Sequence, residues 1–188
     1  MNELATKFNQ LFAGSDRGHG TCELSDDGKI KATTVHAPAN ETVWAYHLDG
    51  TRNLGIVPLR PNGTCVFGAI DVEANDEVDV LIQQLKSGTL PLIPCKTKSG
   101  GAHLYFFSEP IPAIEMQGKM KQYAALIGLP KAEVYPKQTV VSNEVGSWLL
   151  MPYFNARYTK RYAIDATGKR MSAEQFLQRA IDMIGVPL

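Results

Sequence analysis

The sequence predicts an α+β fold rather than a doubly wound parallel sheet. Segments with helical spacing of apolar residues are separated by groups of short strand-like runs. Several runs are joined by turn sequences that suit hairpins, such as Asp49-Gly50. Strands and helices do not alternate regularly, as a sheet built from βαβ units would require. The simplest organisation is a single domain over residues 1–188.

Helical spacing marks four segments: 3–13, 78–85, 113–127 and the residues that follow Ser172. Asn75 or Asp76 would cap the second of these helices at its N-terminus. Ser172 and Gln175 have the spacing of a capping box, and Gly185 is placed to end the last helix. Helices therefore occupy both ends of the chain and two internal segments.

Strand-like runs fill most of the remaining sequence: 22–24, 29–35, 43–48, 54–59, 64–73, 91–96, 102–107, 132–135, 148–151 and 161–165. A turn at Asp26-Asp27-Gly28 separates the first two runs. The turn from Thr97 to Gly101 would join two runs into a hairpin. The segment from Glu109 to Pro112 contains two prolines, so it is expected to break the sheet.

Composition narrows the classes of function. Lys+Arg and Asp+Glu both number 19, so net charge supplies no overall attraction to a polyanion. The N-terminal segment has an acidic Glu3 where a secretion signal would be basic, and no apolar stretch approaches about 18 residues. These features predict a cytoplasmic protein with no membrane partner.

The cysteines and most histidines lack the spacing of metal ligands. The three cysteines are isolated from one another: Cys22, Cys65 and Cys95. This pattern argues against zinc and against a disulfide framework, so we expect small buried side chains. His19, His36 and His47 are expected at the surface or in turns, and His103 alone stands in a context that suggests chemistry.

Two carboxylates end a strongly apolar strand. Asp71 and Glu73 are two residues apart, so on a strand their side chains project from the same face. Like charges that close repel one another unless one is protonated or a cation lies between them. A third carboxylate, Glu133, lies in a later apolar strand. Three carboxylates suit two Mg²⁺ or Mn²⁺ ions in a site for nucleotidyl transfer.

The turn between two of the strands is expected to bind phosphate. Gly100 and Gly101 allow backbone N–H groups to approach an anion, Ser99 adds a hydroxyl and Lys98 adds positive charge. His103, at the start of the next strand, could donate to a phosphate oxygen. Each feature also has an ordinary interpretation, because acidic strand ends commonly face solvent and a Gly-Gly turn with a half-buried histidine is a common hairpin.

Taken together, the three segments resemble the archaeo-eukaryotic primase superfamily. They correspond to its acidic pair (Asp71-Val72-Glu73), its Ser-Gly-Gly-x-His segment (Ser99 to His103) and its later acidic residue after a hydrophobic one (Ala132-Glu133). The closer likeness is to the primase-polymerases of phages, plasmids and mobile elements. That likeness rests on Pro136-Lys137-Gln138 and on the stretch from Gly146 to Asn155, together with the upstream segments His47 to Gly50 and Leu54 to Ile56. It covers about residues 20–165 and implies a bacterial cell or a phage-infected host.

The resemblance implies a catalytic fold of two α/β lobes, with a sheet like that of RNA-recognition motifs, around a metal cleft. It also implies template-directed nucleotide addition with Mg²⁺ or Mn²⁺ and without zinc. The partners would be single-stranded DNA template, primer, and NTP or dNTP. Lys137 would contact phosphate. No helicase motor motif occurs in the 188 residues, so the chain is expected to form the catalytic, N-terminal part of a longer replication protein, with a helicase in cis or in trans.

A basic and aromatic strip is expected near the C-terminal side of this region. Arg157, Tyr158, Lys160 and Arg161 would contact a nucleic-acid backbone and stack on bases. Two alternatives to the polymerase remain open. One is a non-catalytic module, like an RNA-recognition motif, that binds single strands. The other is a metal-dependent nuclease that uses the same carboxylates with water as the nucleophile.

Overall fold

The structure is a computed structural model that describes residues 3–24, 30–74, 78–85 and 90–185. The predicted turn at Asp26-Asp27-Gly28 and the predicted caps Asn75 and Asp76 lie outside the described residues. The elements in chain order are α1 Glu3–Leu11, β1 His19–Leu24, β2 Ile30–Val35, α2 Glu41–Asp49, β3 Gly55–Ile56, β4 Thr64–Val72, α3 Val78–Leu85, β5 Ile93–Lys96, β6 Ala102–Pro112, α4 Ala113–Leu126, β7 Glu133–Tyr135, β8 Leu149–Leu150 and α5 Ala173–Ile184.

The strands form two antiparallel sheets, which confirms the predicted α+β class. Sheet A has the order β2-β1-β3-β8, and sheet B has the order β5-β6-β4-β7. In both sheets some adjacent strands are consecutive in sequence and others come from distant segments, so each sheet joins remote parts of the chain. Within the described part of the chain, no helix is both long enough and apolar enough to cross a membrane.

Sheet B separates two hydrophobic cores. On one face, Phe67, Tyr105 and Phe107 pack with helices α1, α2 and α5 and with the inner face of sheet A. On the opposite face, Ile70 and Leu104 pack with α3 and α4. Because side chains alternate along a strand, the long apolar run of β4 supplies both cores at once. Polar side chains within this sheet therefore occupy positions where the pattern demands burial.

The segment 43–48 is a helix, so the predicted strand there is wrong. Asn40 caps α2 by accepting a hydrogen bond from the backbone N–H of Val43 at 3.0 Å, and Gly50 ends the helix with φ of 88°. The buried residues Trp44, His47 and Leu48 have helical spacing. The apolar residues of this short run are compatible with both the helical and the strand repeat, and the caps at its two ends favour the helix.

Two other sequence expectations differ from the structure. Strand β6 continues through Pro110 to Pro112 and pairs with the start of β4, with a register shift between Cys65 and Phe67. Prolines are tolerated here because β5 pairs with β6 only up to Tyr105, which leaves the outer edge of this end unpaired. Residues 161–165 form isolated bridges at Ala163 and Ile164 and no named strand.

The four helices predicted from the sequence are confirmed. Ser172 accepts a hydrogen bond from the backbone N–H of Gln175, and the Gln175 side chain returns one to the Ser172 backbone, so the capping box forms. Two histidines expected at the surface are buried instead: His47 lies on the inner face of α2, and His19 lies on β1. Their ring nitrogens bond to backbone groups inside the protein.

Candidate nucleotidyl-transfer site

A cleft of about 1020 Å³ lies between sheet A and the polar end of sheet B. The sequence-predicted site residues that line it are Asp71, Glu73, Lys98, Ser99, His103 and Arg161. Glu133 and Lys137 lie beside the cleft on β7 and the residues that follow it. The structure therefore brings together residues from segments that are far apart in sequence.

A row of polar side chains crosses sheet B at the floor of the cleft. Asp71 on β4 is paired with His103 on β6 and with Glu133 on β7, and His103 is paired with Cys95 on β5. Directly paired residues project from the same face of a sheet. We call Cys95, His103, Asp71 and Glu133 the sheet B wall. Strand register therefore brings His103 of the Ser-Gly-Gly-x-His segment and Glu133 next to Asp71 of the acidic pair.

Asp71 is the electrostatic centre of the sheet B wall. Burial raises the pKa of its carboxyl group, and the charges of Glu133 and Glu73 raise it further, whereas Lys137 lowers it. Its side chain is 32% exposed, so it still reaches the cleft. Glu133 and Glu73 thus both act on Asp71, and added positive charge would relieve this repulsion.

His103 lies between Asp71 and the core. Its Nε2 atom is 3.5 Å from Oδ1 of Asp71, and its Nδ1 atom is 3.2 Å from the hydroxyl of Tyr105. Burial lowers the pKa of His103 to about 4, and Arg161 adds to this effect. The imidazole is therefore neutral at pH 7 in the free protein, and it can donate one hydrogen bond from one ring nitrogen.

Glu133 and Glu73 are more exposed than Asp71. The carboxylate of Glu133 accepts a hydrogen bond from Nζ of Lys137 at 2.9 Å, and 61% of its side chain is exposed. Lys137 also lies over the ring of Tyr135, with Nζ 5.2 Å from the ring centroid. Glu73 follows the end of β4 and is exposed at the cleft. Both carboxylates can turn without disturbing the core.

The turn from Thr97 to Gly101 places Lys98 and Ser99 at the rim of the cleft. Gly100 has φ of 95°, and its N–H already donates to the carbonyl oxygen of Thr97 at 3.3 Å. A Cβ atom at Gly101 would collide with the backbone carbonyl of Val72. Both glycines thus have structural reasons for their positions, and their predicted contact with phosphate stays a prediction.

Arg161 is separated from the other basic and aromatic residues with which the sequence grouped it. Its Nη1 atom donates to Oδ1 of Asn53 at 2.8 Å, and its guanidinium lies over Phe154, 5.5 Å from the ring centroid. These contacts hold a positive charge in the cleft, which faces the sheet B wall. By contrast, Arg157, Tyr158 and Lys160 are exposed outside the cleft.

Sequence reasoning missed the opposite side of the cleft. Trp148, together with four smaller residues of sheet A, forms what we call the sheet A wall: Gly20, Cys22, Gly55, Trp148 and Leu150. The cleft is lined by Cys22, Trp148 and Leu150, and the indole of Trp148 covers Gly20 and Gly55. Glycine inside a strand is a signal of close approach by another group, and it could have drawn attention to this surface.

The residues between β7 and β8 connect the two walls. The side chain of Gln117 on α4 donates to the carbonyl oxygens of Pro136 and Lys137, both at 3.0 Å. Gln138 forms two hydrogen bonds with Ser147, one through the Ser147 backbone N–H and one through its hydroxyl, both at 2.9 Å. The Pro136-Lys137-Gln138 segment therefore fixes the chain that leads directly to Trp148.

The donor set of the cleft suits a hard divalent cation, because Asp71, Glu73 and Glu133 offer carboxylate oxygens. Across the described ranges, no group of three or more His, Cys, Asp or Glu side chains is arranged to hold a metal ion. In this arrangement Glu133 is paired with Lys137, and Asp71 faces His103. Binding of a cation would require the two exposed glutamates to turn toward Asp71.

Comparisons with known proteins place the chain in a family. Curated proteins gave no significant match. Among solved structures, the polymerase domain of ligase D from Mycobacterium tuberculosis, in complex with DNA, is 14% identical with a TM-score of 0.42; the match covers 97% of this chain and 88% of that chain. A family model described as the archaeo-eukaryotic primase domain of the TOTE conflict system matches residues 22–171. The chain therefore belongs to the archaeo-eukaryotic primase family represented by the domain of TOTE conflict systems.

Proposed function

We propose that this protein is a template-directed nucleotidyltransferase that adds nucleotides from NTP or dNTP, as a primase-polymerase does. The observation that carries the proposal is the alignment of three polar residues across adjacent strands: His103 and Asp71 line a large cleft, and Glu133 is paired with Asp71 beside it. Membership of the archaeo-eukaryotic primase family supports the same reaction class. In the reaction, a 3′-oxygen bonds to the α-phosphorus, the bond to the β-phosphate oxygen breaks and pyrophosphate leaves.

Asp71, Glu73 and Glu133 would hold the divalent cations. When bound, two such cations polarise the phosphate oxygens and screen the negative charge of the triphosphate. Asp71 is the fixed ligand, since it lies within the sheet, and the two exposed glutamates would complete the set. The raised pKa of Asp71 means that its carboxylate gains more from a nearby positive charge than an exposed carboxylate does.

The remaining polar residues of the cleft would bind the triphosphate. Arg161 offers a fixed guanidinium that can donate to two phosphate oxygens, and Asn53 holds it in place. Lys98 and Ser99 are exposed at the rim, where they can close on phosphate. His103 would donate a hydrogen bond to a phosphate oxygen. Lys137, which neutralises Glu133 in the free protein, could exchange this partner for phosphate.

Single-stranded DNA template and primer are the proposed nucleic-acid partners. Arg157 and Lys160 are exposed beside Tyr158, whose side chain is 70% exposed, and the guanidinium of Arg157 lies 5.2 Å from its ring centroid. This combination suits contacts to a phosphate backbone with stacking on a base. Strand separation by a helicase, in the same chain or in another, belongs to the proposal as well.

The test is incorporation of labelled nucleotides with Mg²⁺ or Mn²⁺ and a single-stranded template, with and without an annealed primer. Wild type should extend the primer, and Asp71→Asn and Glu73→Gln should not. Asp182→Asn, an exposed carboxylate on α5 that accepts from Gln178, is the matched control and should extend normally. Normal extension by Asp71→Asn would reject the assignment of the site, and unprimed products would identify a primase.

Nucleotide or single-strand binding without catalysis is the second candidate. The observation that favours it is the ion pair between Glu133 and Lys137, which keeps the third carboxylate occupied. Under this alternative, DNA binding would be strong without metal, no nucleotide would be incorporated, and Asp71→Asn would bind as wild type does. Metal-dependent cleavage of DNA without nucleotide consumption would instead identify a nuclease.

A further inference from the structure

Trp148 packs against the hydrophobic core that contains Ile70 and Leu104, and it also faces the cleft. It lies immediately before β8 and lines the cleft opposite the sheet B wall. Its side chain is partly buried, so part of the indole remains accessible from the cleft. The other tryptophan of the chain, Trp44, is fully buried in the core. The cleft thus contains a large aromatic group that is accessible in part.

Two glycines provide the surface on which the indole lies. Gly20 on β1 and Gly55 on β3 are direct partners in sheet A. A Cβ atom at Gly20 would overlap the five- and six-membered rings of Trp148, and one at Gly55 would overlap the six-membered ring. Without these side chains, the indole packs against backbone. Trp148 therefore crosses two strands and extends to a third.

The third strand fixes the orientation of the ring. Nε1 of Trp148 donates to Oγ1 of Thr34 on β2 at 3.2 Å, and Thr34 is itself the partner of Gly20. The chain just before Trp148 is held by the two hydrogen bonds between Gln138 and Ser147. With its polar atom satisfied and its backbone anchored, the indole is a preorganised aromatic surface in the cleft.

We propose that Trp148 is a stacking platform for a nucleobase that enters the cleft. A planar, neutral base matches an aromatic face, and base stacking on aromatic side chains is tolerant of base identity. The base can come from the incoming nucleotide or from the single-stranded template. The inference rests on the proposed function for the nature of the ligand, and on the geometry of sheet A for the residue.

Intrinsic fluorescence tests the platform directly, because a stacked base quenches the indole. Wild type is titrated separately with dATP and with a short single-stranded oligonucleotide, and affinity is measured in parallel by calorimetry. We expect quenching by the ligand that stacks, and Trp148→Phe should remove the quenching because buried Trp44 does not respond. Quenching by dATP alone would assign the incoming base, and quenching by the oligonucleotide alone would assign the template base.

Two variants separate stacking from packing. Trp148→Phe retains an aromatic face and should bind within about threefold of wild type, whereas Trp148→Leu retains apolar cover and should bind about tenfold more weakly or worse. Gly20→Ala should displace the indole and weaken quenching and affinity while Trp148 is still present. Thermal melting of each variant checks that it folds.

The outcomes distinguish the platform from the reaction. Binding by wild type that Trp148→Leu leaves unchanged, or binding without quenching, would overturn the platform and leave the proposed function in place. Quenching that depends on Trp148, together with no incorporation under any condition, would support the platform and reject the polymerase. Absence of binding by both ligands in calorimetry would overturn both.

Discussion

On sheet B, the side of the cleft formed by His103, Asp71 and Glu133 consists of titratable side chains that project from adjacent strands. On sheet A, the other side of the cleft carries one large aromatic residue, Trp148, which lies over Gly20 and Gly55. Both surfaces are built on antiparallel strands with residues in register, and they differ in what the strands carry.

The difference shows two ways in which a sheet can prepare a site. The sheet B wall concentrates charge, and its cost is visible in the raised pKa of Asp71. The sheet A wall removes side chains so that an aromatic ring can lie on backbone, with its one polar group bonded to Thr34. Under the proposed function, charge would serve the reacting phosphates and the aromatic surface would serve a base, so the two walls would divide reaction from recognition.

The largest expected effect distinguishes the two walls by their separate contributions to the rate of incorporation and to nucleotide affinity. Asp71→Asn should lower the rate of incorporation on the order of 10³-fold or more, because loss of a ligand removes several kcal/mol of charge stabilisation. Its dATP affinity, measured without metal, should stay close to that of wild type. Trp148→Leu should show the reverse pattern, with weaker binding and most of the rate retained at saturating nucleotide.

Calorimetry and single-turnover incorporation measure the two quantities separately. Asp182→Asn serves as the control for loss of an acidic side chain outside the cleft. If Asp71→Asn weakened binding as much as rate, or if Trp148→Leu lost rate alone, the proposed division between the walls would be wrong.

Local sequence pattern marked Asp71, His103 and Glu133 of the sheet B wall as candidate site residues, and their roles stay predictions. The apolar run of β4 predicts a buried strand, so Asp71 and Glu73 stand out as polar groups at its end. The same holds for His103 at the start of β6. The actual alignment of His103, Asp71 and Glu133 depends on register between strands, which the spacing of residues along one strand does not encode.

The sheet A wall could not be predicted in the same way. Trp148 contacts Gly20 and Gly55 only because three distant segments pair in one sheet. The helix α2 was mistaken for a strand because a short apolar run fits both periods, although Asn40 and Gly50 are recognisable caps. Arg161 was grouped with exposed neighbours, and its contact with Asn53 is again a long-range one.

A second prediction concerns the support behind the sheet A wall, where His47 links the residue before β3 to the segment that follows β8. Its Nδ1 atom accepts from the backbone N–H of Leu54 at 3.1 Å, and its Nε2 donates to the carbonyl oxygen of Pro152 at 2.8 Å. Burial lowers the pKa of His47 to about 4, with a further decrease from Arg161, whereas the bond to Pro152 opposes this. The imidazole is thus buried in its neutral form.

Acid should therefore destabilise the protein. In the unfolded chain the pKa of His47 is about 6.5, so below this pH the unfolded chain binds a proton that buried His47 does not bind in the folded protein. The free energy of unfolding therefore falls as pH decreases toward 4. Between pH 7 and pH 5 the expected loss from His47 is about 2 kcal/mol. Urea unfolding measures it, and His47→Gln should show a flatter pH dependence. An equally steep dependence in this variant would assign the effect to other groups, such as His103.

The third prediction concerns Gln138, which holds the chain before Trp148. Gln138→Ala leaves the N–H and hydroxyl of Ser147 without these partners, so we expect a loss of about 1 to 2 kcal/mol in the free energy of unfolding. Quenching of Trp148 by its ligand should weaken as well. A double-mutant cycle with Ser147→Ala measures the coupling, and Gln178→Ala on the exposed face of α5 is the control. Additive effects would show that the two residues do not act together.

The smallest expected effect is at Lys137, whose pair with Glu133 lies at the edge of the sheet B wall. Because both side chains are substantially exposed, Lys137→Met should change the free energy of unfolding by less than about 1 kcal/mol, and less still at high salt. Lys119→Met breaks a comparable pair with Glu115 on α4, away from the cleft, and should have a similar effect on stability. Incorporation should decrease in Lys137→Met and not in Lys119→Met, since only the former removes a positive charge beside the carboxylates. A loss of stability above about 2 kcal/mol in Lys137→Met, but not in Lys119→Met, would instead show that the pair is a structural part of the sheet B wall. Equal incorporation by the two variants would show that Lys137 does not contact phosphate.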